Sequence, residues 1–358
     1  MSVGLALAVV FAAGCSGGSQ GGSGDGAVTE INVLTWAGYH KPEWIAGYEK
    51  ETGVKIRTQE MTTIADGFAK VQANPAAFDI VVATSGYVEN YVDADLIVPF
   101  DESKVPNIKN LSDDVGWRST VTYKDQMYGL TYAWGSQMLT WNDKAVPGGL
   151  TSWDQLWDPR FAGRVSMVDD PMSNLPNIAL GMGIKNPAAM QPNTPEWDRF
   201  KARVLQLRPQ VSHTAASTED QTTDFVSGQS DVGILYSMLP LVQANNAGVP
   251  MKQTIPDTGA WGWTDNYAIT KAGSAKGQAV YDFINYTMSV PWLARMAADT
   301  GLPPVLSISA AESPEAVKAG LTPEKLDATQ LGLAAKDPNY LKKIVMGTRM
   351  ANLDAWIE

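Results

Sequence analysis

Five short stretches bring carboxylates, hydroxyls and aromatic rings together: Thr35–Tyr39, Thr84–Tyr87, Asp169–Asn174, Tyr236–Met238 and Trp263–Asp265. Each follows or ends an apolar, strand-like run. They are rich in Trp and Tyr, and two of them contribute an aspartate. Such a set can hold a cation. A carboxylate supplies the opposite charge, and each aromatic face adds about 0.5–2 kcal/mol through its ring quadrupole. A buried ammonium needs such partners, because an unpaired charge away from water is costly.

Other chemistries find little support. The only cysteine is Cys15, which excludes a disulfide framework and a cysteine-based zinc site. The two histidines, His40 and His213, lie far apart and are expected on the surface or in loops, not as ligands or bases. Neither a phosphate-binding loop, nor G-x-S-x-G, nor H-E-x-x-H, nor a Cys-His pair occurs, and Gly181-Met182-Gly183 lacks the rest of a dinucleotide fingerprint. An acid–base role for Asp170 and Asp265, as in a glycosidase, is a remote alternative. No enzyme activity, cofactor or metal is expected. With 27 Lys+Arg against 38 Asp+Glu, the net charge of −11 argues against a surface that grips nucleic acid.

The N-terminus reads as an address. Val3–Ala13 is apolar except for Gly4, too short to span a bilayer and fitted to the core of a secretory signal peptide. Ala12, Ala13 and Gly14 precede Cys15, an arrangement similar to a bacterial lipobox with Cys15 as the lipidated residue. No Lys or Arg precedes the apolar run, a departure from that pattern from which the true start is expected upstream. A buried thiol in an N-terminal helix is the alternative. Ser16–Gly26 is a Gly/Ser tether without core-forming side chains.

The elements that must carry the five stretches alternate strand and helix. Strands are expected at Ile31–Leu34, Val54–Arg57 and Phe78–Val82. A helix begins near Pro42, buries Trp44, Ile45 and Tyr48, and stops at Gly53. Another carries Ile64, Phe68 and Val71 after Thr62-Thr63, and a third spans about 87–94. The pattern restarts with a helix capped at Thr151-Ser152, strands at Val165–Val168, Asp231–Tyr236 and Trp263–Ile269, and helices at about 176–183, 195–208 and 275–288. This rhythm predicts an α/β fold with mainly parallel sheets in two lobes around a cleft, whose ligands bind beyond the carboxyl ends of the strands. Trp44, Trp153 and Trp157 are expected in the core. Asp170 either caps the following helix or faces the ligand; Asp169 faces away. For Trp134 and Tyr236, core and site are equally open.

The segments TWAGY (35–39), EKETGVKI (49–56), FDIVVATSGYV (78–88), YGLTYAWGS (128–136), TSWDQLWDPRFAGRV (151–165), VDDP (168–171) and WTDNYAIT (263–270) together resemble the solute-binding proteins of ABC importers, the spermidine/putrescine-binding proteins above all. The resemblance implies a two-lobe periplasmic-binding-protein fold of type II, closing over its ligand. Its expected parts are a signal peptide 1–14, the lipidated cysteine and tether 15–27, one lobe of 28–132 plus 265–308 and another of 133–264 plus 309–358. Crossings are expected near Thr131–Trp134 and Gly262–Asp265. It implies ligand contacts from Trp36, Tyr39, Thr84, Ser85, Trp134, Asp170, Ser173, Tyr236, Trp263 and Asp265, with Asp265 receiving an ammonium group. Ser173, Tyr236 and Leu302 depart from the family's glutamate, tryptophan and tyrosine. The implied role is extracytoplasmic capture of putrescine or spermidine by a lipid-anchored monomer, and delivery to permease subunits. A smaller cation or zwitterion such as 4-aminobutyrate or an aminophosphonate is the alternative ligand.

Overall fold

A computed structural model describes residues 28–235 and 238–357. Cys15, the apolar run and the tether lie outside the described residues, as does Tyr236. Among the described residues no helix is long and apolar enough to cross a membrane.

In chain order the strands are β1 (Glu30–Trp36), β2 (Lys55–Met61), β3 (Ile80–Thr84), the small hairpin β4 (Thr122–Tyr123) and β5 (Gln126–Met127), β6 (Leu130–Ser136), β7 (Met138–Asn142), β8 (Val165–Val168), β9 (Val211–Ala215), β10 (Val232–Leu235), β11 (Met251–Thr254), β12 (Ala260–Ile269) and β13 (Ile344–Met346). One sheet runs β13-β12-β3-β1-β2, with β6 also paired to β12; the other runs β11-β7-β10-β8-β9.

Local sequence explains the elements that flank the site. Pro42 opens the helix Pro42–Thr52, where its missing N–H is no loss, and Gly53 ends it in the left-handed region at φ 77°. Thr63 caps the helix Ile64–Ala73 by accepting the Asp66 N–H. The uniformly buried β3 fits a strand covered on both faces. Ser152 and Gln155 form a capping box, but Trp153–Trp157 is a 3-10 turn, not a longer helix. The helix expected at 176–183 starts earlier, at Pro171, and contains Pro176.

The sheets are mixed where mainly parallel ones were expected. β1 pairs in parallel with β2 and β3, but β12 runs antiparallel to both β3 and β6. In the second sheet β8 is parallel to β9 and β10, whereas β7 is antiparallel to β10 and β11. The antiparallel strands are those beside the connections between the sheets. The chain passes from β6 to β7 at Gln137, whose N–H donates to the Trp261 carbonyl at 2.9 Å, and returns between β11 and β12. Both passages lie outside the expected positions, because β6 continues to Ser136 and β12 begins at Ala260.

Each sheet has its own apolar core. Val33, Val81, Ile45, Phe283 and Trp292 belong to the first; Trp153, Ile178, Phe200, Ile234 and Trp356 belong to the second. Ala311, Ala316, Leu321, Leu326 and Leu331 pack in the first core. The C-terminal helices were expected with the other lobe; their apolar faces instead meet the helix Val290–Thr300. A third connection follows β13, which pairs with β12, and leads to the helix Leu353–Ile357, whose Trp356 is in the second core.

Candidate ligand-binding site

Asp265 lies in the antiparallel pair of β12 and β3, level with Thr84. Only 2 % of its surface is exposed. Its Oδ1 accepts two hydrogen bonds, from the Thr84 hydroxyl at 2.6 Å and from the Trp36 indole N–H at 3.1 Å. Among the described residues no hydrogen bond falls on Oδ2. Burial pushes the carboxyl up to about 6, against the pull of Thr84 and Trp36. The side chain is held in one orientation, and among the described residues no hydrogen bond or ion pair engages its second oxygen. An ammonium group would supply the opposite charge and occupy Oδ2.

The polar groups around it come from strand ends. Ser85 is tied to β12 twice: its N–H donates to the Thr264 carbonyl at 2.9 Å, and its hydroxyl accepts the Thr264 N–H at 3.1 Å. Trp263 is buried, and its indole lies on Gly135, where a Cβ would come within 2.5 Å of the ring. Tyr39 is half-buried with its ring edge-on to Tyr132 at 6.4 Å. Tyr132 is the extra residue of a bulge in β6 opposite the Asp265/Asn266 step, and it stacks on Tyr267 at 4.4 Å.

Trp134 sits apart from this group. It is 1 % exposed in the first core, with its indole N–H donating to the Pro304 carbonyl at 3.1 Å. Leu302 also belongs to that core. Asp170 caps the helix Pro171–Gly181: Oδ1 accepts the Met172 N–H at 3.0 Å, and Oδ2 accepts the Ser173 hydroxyl at 2.6 Å. Burial raises its pKa despite these bonds. Both oxygens, and Ser173 itself, are therefore engaged by the helix start.

Beside these residues lies a cavity of about 540 Å3, lined by Gly86, Tyr87, Asn90, Met172, Arg349 and Asp354 among others. It joins the turn after β3, the start of the helix Pro171–Gly181 and the C-terminal segment. Burial raises the pKa of Tyr87, and the negative charges of Asp170 and Asp354 add to it. The Oδ1 atom of Asn90 is buried and has no hydrogen-bond partner among the described residues. Arg349 donates to Asp93 at 2.5 Å, and Asp93, bonded also to Lys124 at 3.0 Å, is held down to about 2. Among the described residues Asp354 has no ion pair.

The sequence analysis missed His40, Tyr132 and Tyr267 beneath the aspartate, and Arg349, Asn352 and Asp354 on the C-terminal segment. His40 is not a surface residue: it is 5 % exposed, in a core of aromatic rings. His213 is exposed on β9, 3.5 Å from Asp224. Tyr87 fell inside one of the chosen strand-end stretches; nothing in the sequence marks the C-terminal residues. No group of three or more His, Cys, Asp or Glu among the described residues is placed to hold a metal.

The chain is similar to proteins of known kind. Over 290 residues the chain is 27% identical to the spermidine/putrescine-binding periplasmic protein of Escherichia coli K12, covering 80% of each. It is 25% identical to the putrescine-binding periplasmic protein PotF of the same organism over 313 residues, covering 79% of this chain and 82% of PotF. Its fold matches the TpPotD lipoprotein of Treponema pallidum, with a TM-score of 0.74 at 18% identity over 91% of this chain and 97% of that one. It also matches the periplasmic binding protein MotA of A. tumefaciens, solved with glucopine, with a TM-score of 0.68 at 18% identity over 92% and 96%. The α/β fold is therefore that of periplasmic binding proteins. Residues 43–323 match the model of the bacterial extracellular solute-binding protein family, and the chain belongs to that family.

Proposed function

We propose that this protein captures a small amine, putrescine or spermidine, outside the cytoplasmic membrane and delivers it to the permease of an ABC transporter. It acts by reversible binding as a monomer, tethered through lipid on Cys15. The observation that carries the reading is the buried Asp265, fixed through Oδ1 by Thr84 and Trp36, with no bond on Oδ2 among the described residues. The two sheets form two lobes, and the passages at Gln137 and between β11 and β12 are the hinges. Closure over the ligand removes water and strengthens the ammonium–carboxylate pair. Trp36, Tyr39 and Trp263 supply the flat walls along the aliphatic chain.

The far amine reaches the cavity beside Tyr87. Asp170 is engaged by its own helix, so Asp354 and the Asn90 carbonyl oxygen are the acceptors left there. A zwitterion such as 4-aminobutyrate is the second reading, favoured by Arg349 on the cavity wall. The Asp93 pairing of that guanidinium makes it the weaker one.

Titration calorimetry with putrescine, spermidine and 4-aminobutyrate tests the assignment. Heat with a polyamine, lost in Asp265→Asn, is expected. Binding of 4-aminobutyrate alone selects the second reading, and no heat with any of the three overturns the amine class.

A further inference from the structure

The turn after β1 places His40 under the site, not at the surface. Gly38, with φ 76°, lets the chain reverse before the helix Pro42–Thr52. The imidazole then points inward. Its Nδ1 is 2.8 Å from the Thr35 hydroxyl, and its Nε2 is 2.9 Å from the Tyr267 hydroxyl. Rings surround it: Tyr267 at 5.6 Å, Trp292 at 5.7 Å, and Tyr132 and Phe283 both at 6.4 Å.

The two partners belong to strands that do not touch, because β3 lies between β1 and β12. Val33 is level with Ile80 and Leu34 with Val81, so one step further Thr35 stands level with Val82, which is itself paired with Tyr267. His40 thus spans a row of three strands, over Val82. The next row toward the strand ends is the ligand row, where Thr84 faces Asp265 and Trp36 reaches across β3 to the same carboxylate. Thr35 is the residue before Trp36, and Tyr267 is on the same face of β12 as Asp265, two residues away.

We propose that His40 is a positioning residue for the ligand site: by tying Thr35 to Tyr267 it fixes the distance between β1 and β12 on which the Trp36–Asp265 contact depends. One ring nitrogen donates and the other accepts, so a neutral ring satisfies two hydroxyls from strands that share no backbone hydrogen bond with each other and are joined only through β3. Burial without an adjacent carboxylate holds the ring neutral, with its pKa lowered to about 3. A buried strut of this kind rigidifies only while every member is satisfied.

The inference rests on the proposed ligand for its affinity arm, but its first readout needs none. In the ligand-free protein the Trp36 indole N–H gives a proton–nitrogen NMR resonance, assigned by its loss in Trp36→Phe. His40→Leu, which fills the space without bonding, is expected to shift it. His40→Gln, which keeps a donor and an acceptor, is expected to bring it back. Thr35→Val and Tyr267→Phe each remove one hydroxyl and should act as His40→Leu does, whether or not His40→Leu folds. An unmoved Trp36 resonance in Thr35→Val and Tyr267→Phe overturns the proposal. Putrescine affinity is expected to fall at least about tenfold in Tyr267→Phe and to recover within about threefold in His40→Gln relative to wild type. Affinity unchanged in Tyr267→Phe also overturns it. Failure of the wild type to bind putrescine counts against the amine reading alone, and the resonance then decides the role of His40.

Discussion

The Thr84 hydroxyl donates to Asp265 Oδ1 across 181 positions of sequence, at 2.6 Å. This bond, between facing residues of two antiparallel strands, sets which carboxylate oxygen is spent and which is offered. Most expectations for ligand binding derive from that asymmetry.

Asp265→Asn should lower amine affinity by about 100-fold or more, the size of an effect that leaves a buried cation unpaired. The same variant should fold at least as well as wild type without ligand, since an amide is easier to bury than a charge. Calorimetry and urea unfolding on the two proteins read both effects.

The raised carboxyl of Asp265 links stability to pH. Its folded pKa, about 6, exceeds the ordinary carboxylate value, so the folded state binds the proton more tightly than the unfolded chain. Stability of the ligand-free protein should therefore be fullest below about pH 4 as far as this group is concerned. It should decline as pH rises toward 6, by about 3 kcal/mol. Affinity for a cation runs the other way and rises over the same window. The difference between wild type and Asp265→Asn in urea unfolding at several pH values isolates the contribution.

Replacing Asp170 separates its two possible roles. Asp170→Ala should cost about 1 kcal/mol through loss of the helix cap, whereas Asp170→Asn, which can still cap, should cost little. An affinity loss in Asp170→Asn without a stability loss would assign the carboxylate to the ligand as well. Thermal unfolding beside calorimetry distinguishes the cases.

Asp354→Asn should weaken spermidine about tenfold and leave a simple monoamine unaffected, because in the proposed binding mode only the longer ligand would reach the cavity beside Tyr87. Equal effects on both ligands would remove Asp354 from the binding surface.

Gly135→Ala should displace the Trp263 indole, since the added Cβ would meet the ring at 2.5 Å. Weaker amine binding with a changed tryptophan emission spectrum is the expected result; unchanged affinity would take Trp263 out of the ligand wall.

Much of this could be read from the sequence where the signal is local. Gly53 ending a helix, Thr63 capping one and the apolar run of β3 each act through neighbours a few residues away. The strand-end stretches were legible for the same reason, and Trp36, Thr84 and Asp265 do converge. Long-range pairing was not. Nothing in the residues of β12 says that it runs antiparallel to β3, and the apolar faces of the C-terminal helices fit either core. An indole also does not announce its direction: Trp134, inside β6, bonds a backbone carbonyl in the core, whereas Trp36, at the end of β1, bonds the carboxylate. His40 was expected on the surface or in a loop, and its burial could not be read because its partners, Thr35 and Tyr267, are unremarkable hydroxyls that only the tertiary fold brings together.

The place of β12 in the middle of the first sheet governs how the molecule comes into being. Until residues 260–269 join the sheet, β3 lacks its neighbour on that side and, among the described residues, β6 lacks a partner strand. The closing of so long a loop is slow. A chain lacking residues 260–269 thus has no finished N-terminal half, and Asp265 meets Thr84 and Trp36 only when β12 takes its place.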